Sequence, residues 1–140
     1  MRFAYILSAI TAFLLLFSTC VRAQDLMVGQ IWKYKARPHE SQSTITIVQL
    51  DNYVVHISIS GLKVKDPDAD DGLAESIRHL PMEINAFNNS KTKLVGFTEK
   101  LPEFEEGLAD WIKARNRGEA KPISIPVKDV IEQVEIMINQ

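Results

Sequence analysis

The chain has 140 residues, with 16 Lys and Arg against 18 Asp and Glu and a single cysteine, Cys20. This length supports one hydrophobic core without disulfides. The slightly acidic balance argues against nucleic-acid binding, which is dominated by basic residues neutralising phosphates, and one cysteine forms no internal disulfide.

The first element in chain order, residues 1–23, reads as a cleavable export signal: Arg2, an apolar block from Phe3 to Phe17, and Val21-Arg22-Ala23 ahead of a cut between Ala23 and Gln24. The apolar block is about 15 residues, short of the roughly 20 that a bilayer span needs, so no membrane span is expected after cleavage. Cys20 raises an alternative, a lipoprotein cut just before it, but Thr19 stands where that cleavage prefers Gly, Ala or Ser. Cutting after Ala23 removes Arg2, Arg22 and Cys20, leaving 14 basic residues against 18 acids and moving the formal charge from −2 to −4. The expected mature unit is one domain, residues 24–140, periplasmic or secreted, with no thiolate for catalysis or zinc binding.

Three strands follow. Trp32 and Tyr34 alternate with Lys33 and Lys35 between Gln30 and Ala36; Ile45 and Ile47 alternate with Thr44 and Thr46 between Ser43 and Leu50; Tyr53, Val55, Ile57 and Ile59 alternate with His56, Ser58 and Ser60. A period of two implies one buried and one wet face. Asp51-Asn52 suits a tight hairpin connection, and Asp66 to Gly72 reads as a loop. A helix is expected from Pro81, with Met82, Ala86, Phe87, Ser90 and Leu94 on one side, ending by Gly96.

The next helix carries Pro102 and three acids at its start, Lys113, Arg115 and Arg117 at its end, and Gly118 as its stop; Phe104, Leu108, Trp111 and Ile112 form its apolar face. A short strand, Pro122 to Ile125, and a helix after Pro126 complete the chain. The expected fold is α+β: a three-stranded antiparallel meander, two helices, a short strand and a C-terminal helix, with the helices packed on one face of the sheet.

Gly29, Trp32 and Tyr34, the run His56-Ile57-Ser58, His79 with Pro81, Phe104-Glu105-Glu106-Gly107 with Trp111, and Ile123-Ser124-Ile125 with Val130 together resemble a family of small uncharacterised bacterial proteins, exported or soluble. The resemblance spans Gly29 to about Glu135. It implies a bacterial source and no particular activity or catalytic residue.

Candidate sites are few. Asp66, Asp68 and Asp70 alternate like the first ligands of a calcium loop, but an EF-hand needs Gly at its sixth position and an acid at its twelfth, where this chain has Asp71 and Ile77. His39-Glu40 lacks the second histidine of a helical zinc motif, since position 43 is Ser43. Glu103, Glu105, Glu106 and Asp110 are accounted for by the helix dipole and solvation rather than as paired catalytic carboxylates.

His56 on the third strand and His79 ahead of Pro81 are the catalytic candidates; each otherwise satisfies local backbone groups. Lys33, Lys35, Arg37, Thr44, Thr46, His56 and Ser58 form a basic, hydroxyl-bearing face suited to an acidic partner if the strands share one side. No serine-hydrolase elbow, phosphate loop or dinucleotide glycine pattern is present, and no cofactor is expected. The leading expectation is a non-enzymatic binding module for an unknown protein or envelope component. The alternative is a small hydrolase or lyase using His56 or His79 with a nearby acid, and it requires the two histidines to converge in a concave pocket.

Overall fold

The computed structural model describes residues 25–140, so the export signal, its cleavage point and Cys20 lie outside the described residues. Five strands, β1 (Gln30–Tyr34), β2 (Thr44–Leu50), β3 (Val54–Lys65), β4 (Leu73–Glu83) and β5 (Lys91–Phe97), are joined by three helices, α1 (Ile84–Ser90), α2 (Glu105–Asn116) and α3 (Val127–Ile138). The sheet runs β4-β3-β2-β1-β5 with every neighbouring pair antiparallel. The fold is thus mixed α and β, with an open antiparallel sheet.

The alternating apolar residues expected of the first three strands are buried with one exception, Tyr53, which is 79% exposed ahead of β3; the expected wet face is not seen in β2 and β3, where Thr46, His56 and Ser58 are buried too. Trp32, Tyr34, Ile45, Ile47, Val55, Ile57 and Ile59 all enter one core, joined by Leu80 and Met82 of β4, Ala86 and Phe87 of α1, and Val127, Val130 and Ile131 of α3. Trp32 meets Phe87 edge to face at 6.5 Å. Polar groups at the core margin are partnered: Gln30 Oε1 accepts from Trp32 Nε1 at 3.1 Å, and Tyr34 donates to Ser43 Oγ at 2.7 Å. Burial pushes the Tyr34 phenol above its ordinary pKa, although the Ser43 hydrogen bond opposes this. Arg37 and Glu40, both buried, form an ion pair, and Arg37 Nη1 also reaches Glu135 Oε1 of α3 at 3.3 Å.

Four expectations are corrected. First, residues 73–83 are a strand rather than loop and helix entrance. The Asp-rich segment is the tight turn of a β3–β4 hairpin, closed by Asp66 N donating to Gly72 O at 3.0 Å. Pro81 is tolerated because β4 is an edge strand. Its carbonyl and the Glu83 N–H both face Ile123, at 2.8 and 2.9 Å, so the missing N–H lies on the outer side, away from β3.

Second, the helix expected from Pro81 is shortened to Ile84–Ser90. Its Ala86, Phe87 and Ser90 are buried as the spacing suggests, but Lys91–Phe97 leaves the helix and pairs with β1. Third, Pro122–Ile125 contributes one parallel bridge, Met82 to Ile123, and no strand.

Fourth, the helices do not share one face. α1 and α3 pack on the core side, whereas α2 lies against His56 and His79, which point away from Val55 and Ile57. Ile112, expected on the docked face of α2, is 42% exposed; Gly107, Leu108 and Trp111 are half-buried.

Candidate active site

β3 and β4 are adjacent antiparallel strands in which His56 is paired with Pro81. That register puts His56 and His79 diagonally across the ladder on the same side of the sheet, within reach of each other's rings. His56 Nδ1 and His79 Nε2 are 2.9 Å apart, and His56 Nε2 lies 2.8 Å from Asp51 Oδ2. The ring planes are within 20° of parallel at a centroid separation of 5.1 Å. With the nitrogens in contact at that separation, the rings lie side by side through the hydrogen bond rather than face to face.

This geometry orders the protons. A carboxylate only accepts, so His56 Nε2–H donates to Asp51; His56 Nδ1 then accepts from His79 Nε2–H, leaving a lone pair on His79 Nδ1. His56 is completely buried while Asp51 is 41% exposed, so the chain runs from solvent through the interior to His79.

The Trp111 ring stands edge-on to His56 at 5.2 Å, with the Arg115 guanidinium 5.0 Å above Trp111. Gly107 is required one turn earlier. A Cβ there would lie 2.8 Å from His79 Cβ and 3.4 Å from His79 Nδ1, so only glycine lets α2 approach this closely.

His79 opens on a cleft of about 520 Å³ between β4 and the start of α2, walled by Arg78, Phe104, Gly107 and the acids Glu103, Glu105, Glu106 and Asp110. Arg78 and Glu103 approach to 3.5 Å. With carboxylates outnumbering the one guanidinium, the cleft is electronegative. Burial, and then the neighbouring His56, lower the pKa of His79 to about 4, so its imidazole is uncharged at neutral pH. Glu105 is held below the usual carboxylate range by the backbone N–H groups of Phe104 and of its own residue at the α2 start, so it stays ionised and supplies no proton near neutrality.

The other sequence candidates fall elsewhere. Of the proposed binding face, Arg37, Thr46, His56 and Ser58 are buried, Lys33 and Thr44 are half-buried, and Lys35 alone is exposed. Lys33 donates to Ser41 O at 3.1 Å, and Arg37 is committed to Glu40. They form no single accessible surface, and Arg37, which follows β1, turns toward Glu135 of α3.

Asp66 Oδ1 accepts from Asp68 N at 2.9 Å, a turn-forming bond, and no three His, Cys, Asp or Glu side chains among the described residues are placed to hold a metal ion. Asp66, Asp68 and Asp70 lie in the turn between β3 and β4. His39, 55% exposed, lies 3.3 Å from Glu40 Oε1.

Asp51, Gly107 and Trp111 are the members of the site that sequence reasoning did not assign. Asp51 reads as a turn residue, and the signal that could have found it was an acid five positions ahead of a histidine on the face opposite the apolar residues. Comparison with family models, with curated proteins and with solved structures finds no match for this chain. Among the described residues no helix is long and apolar enough to cross a membrane.

Proposed function

We propose that the domain is a small acid–base enzyme, a hydrolase or lyase, in which His79 moves the proton. One observation carries this reading: the hydrogen-bonded chain from Asp51 through His56 to His79 ends at a concave, electronegative cleft. Two histidines and an acid in that order follow the logic by which an acid fixes the tautomer of one imidazole and that imidazole orients the next group.

In this reading His79 Nδ1 is the catalytic base, facing a polar substrate of no net negative charge between β4 and α2. His56 and Asp51 are positioning residues that hold the Nε2–H tautomer of His79. Trp111 and Gly107 bring α2 close over the rings and limit the access of water.

A binding module working through the basic sheet face has less support, since Lys35 is the one exposed member of that face. Export to the periplasm or beyond, in a bacterium, belongs to the same proposal and rests on residues 1–23 and on the family resemblance.

The test is turnover by the purified protein across ester, amide, phosphoester and glycoside substrates and β-eliminating acids, compared with His79→Asn. A positioned proton-transfer group contributes about 10²–10⁴-fold, and a loss of that size with the fold retained is expected. Activity equal in the two proteins, or no activity in the parent chain above that of the variant, overturns the reading.

A further inference from the structure

Resting on that acid–base reading, we propose that Asp51, His56 and His79 form a proton relay with two mouths: a proton enters at His79 from the α2 cleft, and one leaves from Asp51 into a separate cleft. The second cleft, about 760 Å³, is lined by Leu50, Asp51, Asn52, Tyr53, Val54 and Arg115. It shares no lining residue with the cleft of Arg78, His79 and the α2 start. His56, with no exposed surface, spans the interior between them beneath Trp111. The relay thus has a substrate end and a solvent end on different parts of the surface.

The transfer balances with one proton in and one out. His79 Nδ1 takes a proton from the substrate and passes its Nε2 proton to His56 Nδ1; His56 passes its Nε2 proton to Asp51 Oδ2, and Asp51 gives a proton to water in the second cleft. No electron pair leaves the chain, and both imidazoles end with one proton each, in the opposite tautomer.

His79 now carries Nδ1–H and is a donor, so the same side chain serves as base in one step and acid in the next. The reverse passage, driven from Asp51, resets it. Such a route suits a buried imidazole, because neither ring has to retain a second proton away from water. Asp51 thereby acts twice, orienting His56 and serving as the exit.

Asparagine separates these two roles, since its carbonyl still accepts from His56 Nε2–H but its amide takes no proton. The experiment follows deuterium exchange of the imidazole protons of His56 and His79 in the ¹⁵N-labelled protein, with tautomers assigned from long-range ¹H–¹⁵N spectra. In Asp51→Asn the His56 tautomer is expected to remain, exchange of its Nε2–H to slow on the order of a hundredfold, and Asp51→Glu to restore it. In His79→Asn, which closes the other mouth, exchange at His56 is expected to persist.

Exchange at the parental rate in Asp51→Asn, or its loss in His79→Asn, overturns the relay. Asp51→Ser is run in parallel, so that a folding failure in one variant leaves the comparison intact. The measurement needs no substrate. Turnover lost in His79→Asn with exchange unaffected by Asp51→Asn rejects the relay alone; the opposite pattern rejects the acid–base enzyme alone.

Discussion

At His79 the folded chain opposes protonation, first by burial and then through His56, bringing its pKa from 6.5 to about 4. The unfolded chain therefore binds this proton first as pH falls. Stability attributable to the group is fully present above about 6.5, declines through the interval down to about 4, and falls no further below it. The groups facing the ring are His56 from β3, itself bonded on its far side to Asp51, and Gly107, Arg78, Glu103, Glu105, Glu106 and Asp110 around the cleft. Urea unfolding at pH 7 and pH 4.5 is expected to show a larger acid loss for the parent chain than for His79→Asn, because the variant has no imidazole to titrate. Parallel losses in the two proteins would contradict the assigned direction.

At the scale of elements, α2 governs access to the rings. It has no fully buried residue, and it meets the sheet through Gly107 against His79 and Trp111 against His56. Its ends are well specified: acids in the first turn, Lys113 and Arg115 in the last, and Gly118 at φ +71° donating to Arg115 O at 2.9 Å. Gly107→Ala inserts a methyl group where 2.8 Å separates it from His79 Cβ, so α2 has to lift. The expected cost is about 1–3 kcal/mol, read from chemical unfolding, together with faster acylation of His79 by diethyl pyrocarbonate. Unchanged stability and reactivity would show that α2 does not need this close approach.

The same elements show what could be read from the residues alone. Period-two alternation marked β1, β2 and β3 because apolar residues recur at every second position from Trp32 to Tyr34, Ile45 to Ile47 and Val55 to Ile59, and caps with spacing marked α2 and α3. β4 escaped because Ser76, Arg78 and His79 interrupt any apolar rhythm and Pro81 imitates a helix start; its identity as a strand comes from pairing with β3, a long-range contact. The site followed suit. Both histidines were singled out by type, but their convergence depends on the β3–β4 register, and the part played by Asp51 depends on a turn that brings its carboxylate back to His56.

For the molecule as a whole, the proposed export signal predicts where the mature chain begins. The exported protein is expected to begin at Gln24 and to lack Cys20, which mass spectrometry of its N-terminal peptide reads directly. A lipid-modified peptide beginning at Cys20 would instead make this a tethered domain. Either way the core is secured from the far side of the sheet, where Val127 N donates to Ser90 Oγ at 3.2 Å and Glu135 Oε2 accepts from Lys65 N at 2.7 Å. The Lys65 N–H, followed by Arg37, holds the Glu135 carboxyl below its usual range, although partial desolvation opposes this.

Strand order also separates short-range from long-range pairings. β1, β2, β3 and β4 pair in chain order, whereas β5 returns past three strands to reach β1, pairing Phe97 with Gln30. Closing that longer loop costs more chain entropy than any of those pairings, and α2 is synthesised after all five strands. Asp51, His56 and His79 all belong to the β2–β3 turn and the β3–β4 hairpin, the short-loop part of the sheet. Their alignment thus rests on short connections, and the longer β1–β5 closure supplies none of the three residues.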